Sequence, residues 1–442
     1  MSFAPYIAAH RFGLGAGVEE MQSIKRQPKI WLLNQLKYQQ ADPITAKLQS
    51  SDALTKKIGG LKQASQNERR TTLKKGYELY KKEMEARFRQ TVSSQTPLLE
   101  RLVLFWSNHF TVSAKGKPHL AWLVGAYERE AIRPHILGKF SDMLIAVTQH
   151  PAMLVYLDNI MSFGPNSLVG RKRKRGLNEN LAREILELHT LGVNGGYTQE
   201  DVIGLAKIIT GWTVKPARQG GGGYQFIQYV HEPGTHKLLG KSYSQKGESQ
   251  GIAALNNLAR HPSTARFIAT KMAQHFISDT PPERCIKKLE KTFLNTGGDL
   301  RAMTETLINM KEVWAAPLPK VKTPYELVIS TFRLTDIPPK TLPFERIAQS
   351  LALLEHVPFQ ATSPAGWPDT EKGWLSPNAM MNRVEWCHAI AQVIRPKENP
   401  LDIAKSVLAG VADPATLLWI ERAPSPIEGA ALLLASPEWQ RR

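Results

Sequence analysis

Apolar residues recur at helical spacing along almost the whole chain, and that periodicity leaves little besides a helical fold open to it. Ile30 to Leu36 keeps the spacing, and residues 68–92 extend it through a long basic stretch. Pro97 suits the first turn of a helix carrying Leu98, Leu99, Leu102, Val103, Phe105 and Trp106, because its missing N–H would have no partner there. His119 to Ala131 and Phe140 to Gln149 are predicted as two further helices. Leu177 to Leu191 is the clearest, with Gly192 placed to stop it. Thr198 is set to cap the next helix, with Asp201 three residues on in a capping box. The spacing returns at about 249–259, 263–277, 283–294, 299–312, 324–333, 343–356, 378–395, 400–408, 414–421 and 426–435.

The pattern fails at 214–245. Gly220 to Gly223 read as a flexible loop. Tyr224 to Val230 then reads as a strand, and Lys237 to Tyr243 is predicted to pair with it. The expected fold class is mostly α: a large multi-helix globular protein with a small β-hairpin near 224–243. Five regions divide it: 1–95 with the basic helix, 96–213 as the central helical core, 214–245 as the loop and hairpin, 246–334 as a second helical region, and 335–442 as a proline-rich loop with C-terminal helices. They are expected to form one compact unit. Residues 335–343 read as a proline-rich linker. Residues 357–377, with Pro358, Pro364, Pro368 and Pro377, form a long irregular loop, and such a loop inside a compact protein is often functional.

Charge bears on partners. The 442 residues hold 57 Lys+Arg against 39 Asp+Glu, a formal net charge of +18. That surplus favours an anionic partner: nucleic acid, an acidic polysaccharide or a membrane surface. Arg171 to Arg175 is one basic run; Arg69-Arg70, Lys74-Lys75 and Lys81-Lys82 lie in another. Such runs are usually solvated surface. No zinc-finger spacing, basic zipper or stacked-aromatic RNA motif accompanies them, so nucleic acid is not the expected partner. An apolar share of 42% excludes a disordered chain, and no apolar stretch reaches the roughly 18 residues of a membrane span. No basic segment followed by an apolar run, and no twin arginine, stands at the start, so the cytoplasm is the expected compartment. Cys285 and Cys387 are expected as structural thiols without a disulfide.

Several constellations could carry chemistry. On a wheel of the Leu177–Leu191 helix, Asn180, Arg183, Glu184 and Glu187 fall at i, i+3, i+4 and i+7 on one face. Leu181, Ile185 and Leu188 take the opposite side, and His189 falls with them. The polar face reads either as two carboxylates, a guanidinium and an amide aimed into one cleft, or as a solvated surface. His109 lies on the apolar face of its helix, as a hydrogen-bonded core residue or as a buried base. Lys271 and His275 stand four apart, in register with Ile268. A lysine on an apolar face demands a partner, and Glu184 or Glu187 is the expected one. Trp367 and Trp374 sit in the long loop, where aromatic platforms suit sugars or peptides and also anchor loops to a core. No HExxH occurs, and Glu187 is followed by His189 rather than a histidine at the Glu-x-x-His spacing, so neither metal nor cofactor is expected.

At these residues the sequence resembles a large bacterial family known as domain of unknown function 1800. The carriers are Ala9-His10-Arg11-Phe12-Gly13, Phe105-Trp106-Ser107-Asn108-His109-Phe110, and the run from Gly176 through Asn180, Arg183, Glu184, Glu187 and His189 to Val193. Thr210-Gly211-Trp212-Thr213, His275-Phe276 and Pro364-Ala365-Gly366-Trp367-Pro368 fit too. The resemblance covers essentially the whole chain. It implies an all-helical protein with no established reaction. It also implies an association with proteins similar to the alkaline phosphatase and sulfatase superfamily, which are frequently exported, so export together with such a partner is a second expectation for location.

Three functions remain open from the sequence, of which nucleic-acid binding, driven by the +18 charge, is the weakest. Of the other two, one is a binding or assembly protein, partner to the phosphatase- or sulfatase-like family. The other is an enzyme acting on an anionic or sugar-like envelope substrate, with Glu184 or Glu187 as acid or base, Arg183 orienting an anion, and His109 or His189 tuning the proton transfer. Asn180, Lys271, His275, Trp212 and Trp367 are the expected ligand contacts in either case.

Overall fold

The computed structural model describes residues 3–59, 65–215, 220–315, 318–335, 343–395, 398–408 and 410–442. The linker expected at 335–343 lies, apart from its two ends, outside the described residues.

The fold is mostly α, and most periodic segments are helices within a residue or two of their expected bounds. They include Gln66–Ser93, Pro97–His109, Phe140–Gln149, Gln199–Ile208, Pro262–Phe276, Pro324–Leu334 and Pro377–Ile394. Local chemistry sets their starts. Ser65 with Glu68, Thr198 with Asp201 and Thr323 with Glu326 each form a reciprocal capping box, satisfying backbone N–H groups that the first turn leaves free. Gly192 takes φ 82°, a left-handed stop that costs glycine little. Among the described residues no helix is long and apolar enough to cross a membrane.

Three expectations are corrected. The 119–131 helix is broken into a 3₁₀ turn, Pro118–Trp122, a short α segment, Val124–Tyr127, and a π turn, Glu128–Ile132. Tertiary ion pairs outweigh periodicity there, because Glu128 meets Arg87 at 2.7 Å and Arg133 at 3.7 Å. The 177–191 helix begins only at Asn180, whose N–H is taken by the Asn178 side chain at 3.0 Å. It runs as α to Glu184 and as π over Ile185–Thr190, where the Leu191 N–H reaches the Leu186 carbonyl. The wider turn departs from a uniform wheel, yet Glu184 still lies within the influence of Glu187 and Arg183. A third π turn spans Ile7–Phe12.

The hairpin is also different. Strand β1, Trp212–Val214, pairs antiparallel with β2, Tyr224–Phe226, in the register Trp212 to Phe226. Strand β3, His236–Leu238, pairs with β4, Lys241–Tyr243. So 224–230 does not pair with 237–243. A 3₁₀ turn at Gln228–Val230 ends β2, and Leu239 and Gly240, both at positive φ, close β3 on β4 in two residues.

One buried apolar cluster runs from Tyr6 to Trp439. Early and late segments meet in it: the Tyr6 hydroxyl reaches the carbonyls of Glu438 and Arg441 at 2.7 Å, and Val321 bridges Arg441 antiparallel. Helix Gln199–Ile208 packs on β3 through Gly204, where a Cβ would stand 2.1 Å from the Lys237 carbonyl oxygen. Gly204→Ala should therefore cost about 1–3 kcal/mol in urea unfolding, the usual penalty of overpacking. An unchanged midpoint would contradict this contact.

Candidate functional site

A cavity of about 430 Å³ opens beneath the long loop. One wall is the end of the Pro97–His109 helix, with Phe105, Ser107, Asn108 and His109. A second is the Pro262–Phe276 helix, with Lys271, Gln274 and His275. The start of the Pro324–Leu334 helix adds Tyr325 and Glu326, and Arg87 enters from the Gln66–Ser93 helix. The loop closes the top with His356, Phe359, Trp367 and Asp369.

The loop is seated by one amide. Asn108 donates through Nδ2 to the Trp367 carbonyl at 2.9 Å and accepts from the Trp367 N–H at 2.7 Å. Gly366 stands at φ 82°, and a Cβ on it would meet the Asn108 carbonyl oxygen at 2.5 Å. The Trp374 indole N–H adds a bond to the Pro368 carbonyl at 2.8 Å. Trp367 and Trp374 both pack against the His356 ring at 4.8 Å. Trp367 thus anchors the loop and lines the cavity at once.

Beneath lies a buried ionic network. Asp369 takes the His275 Nδ1–H at 2.9 Å, with Lys320 Nζ and Arg442 Nη2 each 3.7 Å from its other oxygen. Glu326 is bound by Arg101 and lies 3.2 Å from Arg442 Nε. Lys320 also meets Asp279 at 2.5 Å. Burial alone would raise the Asp369 carboxyl, but His275, Lys320 and Arg442 overcome it and hold it well below the usual carboxylate range. Arg442 and Arg101 do the same for Glu326. A charged Asp369 can only accept, so the Nδ1 of His275 carries the proton and Nε2 keeps its lone pair. Burial pushes the His275 pKa down to about 4 despite Asp369, so the ring is neutral at pH 7.

Three side chains that line this space carry polar atoms without partners among the described residues. His275 Nε2, Tyr325 Oη and His109 Nδ1 are buried with no hydrogen-bond partner, and all three side chains line the cavity. His109 binds the His189 carbonyl through Nε2 at 3.1 Å, which leaves Nδ1 as an acceptor. Lys271 is partly buried and makes no ion pair among the described residues. Its ammonium lies 5.8 Å from the Phe267 ring centre, and burial lowers its pKa, opposed by Asp369. The expected pairing of Lys271 with Glu184 or Glu187 is not made. Among the described residues no cluster of three or more His, Cys, Asp or Glu side chains could hold a metal ion.

Of the candidates read from sequence, the cavity gathers His109, Lys271, His275 and Trp367. The others lie outside its lining. Arg183 is paired with Glu179 and Gln199 at 3.0 Å. Glu187 accepts from the Tyr197 hydroxyl at 3.2 Å. Burial and the Glu187 charge raise the Glu184 pKa. Asn180 is exposed. His189 is buried with both ring nitrogens unpartnered, and burial lowers its pKa to about 3. Trp212 is fully buried over Gly251 and edge-on to Tyr224, a core residue of the β1–β2 pair. Sequence reasoning missed Asp369, Tyr325, Glu326, Arg101 and Arg87. Arg101 had a signal, a charge inside an apolar helix. Glu326 was masked by its capping-box spacing after Thr323.

The network predicts a pH dependence. Between about pH 4 and 6.5 the unfolded chain binds more protons at His275 than the folded one. Stability should therefore fall by up to roughly 3 kcal/mol as pH drops through that window, and further as Asp369 and Glu326 protonate below it. Melting curves across this range check the slope, part of which should vanish in His275→Gln.

No match is found among curated proteins or solved structures. The family described as "Protein of unknown function (DUF1800)" matches residues 7–441, essentially the whole length, and the chain belongs to that family.

Proposed function

We propose that the protein binds a small acidic, sugar-like ligand in the loop-covered cavity. The observation that carries this reading is Lys271, a cation in the cavity wall with no carboxylate in ion-pair contact. The carboxylates around it are already engaged: Glu326, Asp369 and Asp279 pair with Arg101, Arg442 and Lys320. A fourth cation is left over, and desolvating it is costly unless an anion arrives. His275, Tyr325 and His109 bring unpartnered polar atoms beside the cavity, and Trp367 adds an aromatic ring to its lining, a combination that suits a sugar. The expected result is calorimetric binding of glucuronate at least about tenfold tighter than glucose, a gap of about 1.4 kcal/mol, and its loss in Lys271→Met. Equal affinity for the two sugars, or retention in Lys271→Met, would overturn the reading. The Arg183, Glu184 and Glu187 face is the weaker enzyme alternative, since its guanidinium is engaged elsewhere.

A second reading is assembly with a phosphatase- or sulfatase-like protein. It is favoured by exposed apolar side chains Met380, Met381 and Val384 on the Pro377–Ile394 helix, with exposed Leu353 beside them. Asn382 ties this helix to the Phe344–Leu353 helix by a bond to the Leu353 carbonyl at 3.1 Å. Co-expression with such a protein should give a complex on size exclusion that Met381→Glu disrupts. A complex unaffected by Met381→Glu would remove this surface from the assembly.

A further inference from the structure

We propose that the cavity cleaves chains of uronic acid sugars by β-elimination, with His275 as the base, Tyr325 as the acid and Lys271 as the partner of the substrate carboxylate. The inference rests on the binding reading above and deepens it. Elimination next to a carboxylate needs three groups in one place: a cation on the carboxylate, a base for the proton on the adjacent carbon, and an acid for the departing oxygen. Side chains that line the cavity supply one of each, and among the described residues none has a hydrogen bond or ion pair at the atom the step needs. Lys271 has no ion pair, and His275 Nε2 and Tyr325 Oη have no hydrogen-bond partner.

The histidine is arranged as an acceptor. Asp369 holds Nδ1–H at 2.9 Å and is itself fixed by Lys320, whose ammonium also bonds its backbone carbonyl. This is the carboxylate–imidazole arrangement that orients a general base in unrelated enzymes. The tyrosine is arranged as a donor: burial raises its pKa, so it keeps its proton at neutral pH. Arg87 lies 5.0 Å from the Tyr325 ring centre, a charge near the phenolate that forms once the proton leaves.

The step balances without a co-reactant. The C–H bond next to the carboxylate breaks, and its proton passes to His275 Nε2. The electron pair forms a carbon–carbon double bond, and the C–O bond to the neighbouring sugar breaks. Tyr325 protonates the released oxygen and regains a proton from solvent, to which His275 gives up its own. Nothing is oxidised or reduced, and no water is consumed. A volume of about 430 Å³ is enough for a sugar or two. Ala365, Pro368 and Thr370 on the loop are exposed and form the rim. A net charge of +18 favours approach of a polyanionic chain.

The experiment incubates the full-length protein with oligomers of galacturonate, of mannuronate and guluronate, and of glucuronate. Products are followed by the ultraviolet absorbance of the unsaturated uronate and by mass. At least one oligomer should yield an unsaturated sugar. His275→Gln and Tyr325→Phe should each lower the rate by about 100-fold or more. Tyr325→Phe removes a hydroxyl that bonds nothing, so its melting temperature should not fall, which separates a catalytic loss from an unfolded variant. Products heavier by one water would mark a hydrolase and overturn the inference. So would full activity in Tyr325→Phe, or no cleavage of any oligomer. Binding of monomeric glucuronate is measured in the same samples. Binding without cleavage overturns the elimination alone, and the absence of both overturns the binding reading as well.

Discussion

The set of paired charges around Asp369 and Glu326 is what the rest of the site depends on. Each buried ion loses several kcal/mol of hydration, and only a network with its hydrogen bonds made can offset that loss. Here the partners come from distant parts of the chain. Arg101 lies on one helix, Glu326 on another, Lys320 before the second, and Arg442 reaches both carboxylates and the His275 carbonyl at 2.8 Å. The charges therefore fix where the helices stand relative to one another as much as the apolar packing does. They also fix the tautomer and direction of His275, and so the chemistry available in the cavity.

A second charge set stands behind the first. Arg133 binds Glu100 through two bonds, 2.8 and 2.7 Å, and Glu128 joins Arg133 to Arg87. Arg87 carries this set to the cavity, stacked between the Tyr325 and Phe359 rings at 5.0 and 4.9 Å. The π turn at Glu128–Ile132 belongs to this set. The π turn at Ile185–Thr190 places the His189 carbonyl on His109. Wide turns of this kind are rare, because their hydrogen bonds are poorer than those of an α-helix, and they persist where other contacts hold them. Both lie where a polar group had to be delivered to the interior.

The loop over the cavity shows how sequence motifs far apart become one device. Asn108 and Trp367 are 259 positions apart, yet the amide of one binds both backbone groups of the other. Each motif alone reads as a helix end or an anchored loop. Together they hold Asp369 against His275, and the absence of a side chain at Gly366 makes the approach possible.

Local chemistry determined much of this protein from the sequence alone. Periodicity, capping boxes and the Gly192 stop depend on residues within a turn of one another, so the helices at Pro97, Gln199, Pro262 and Pro324 were legible. His109, Lys271, His275 and Trp367 were legible as unusual residues on apolar faces or in a long loop. What they face was not. The surroundings of Lys271, the role of Asp369 and the strand partner of Tyr224 are set by contacts between distant segments, which no local pattern encodes. The wheel through Asn180 to Glu187 took one period for the whole segment, and the π turn at Ile185–Thr190 departs from it. Sequence fixed which segments would be helical, because helix bonds are local. Only the tertiary structure decided which charges would meet, because a buried ion is bearable only where another part of the chain brings its counter-charge.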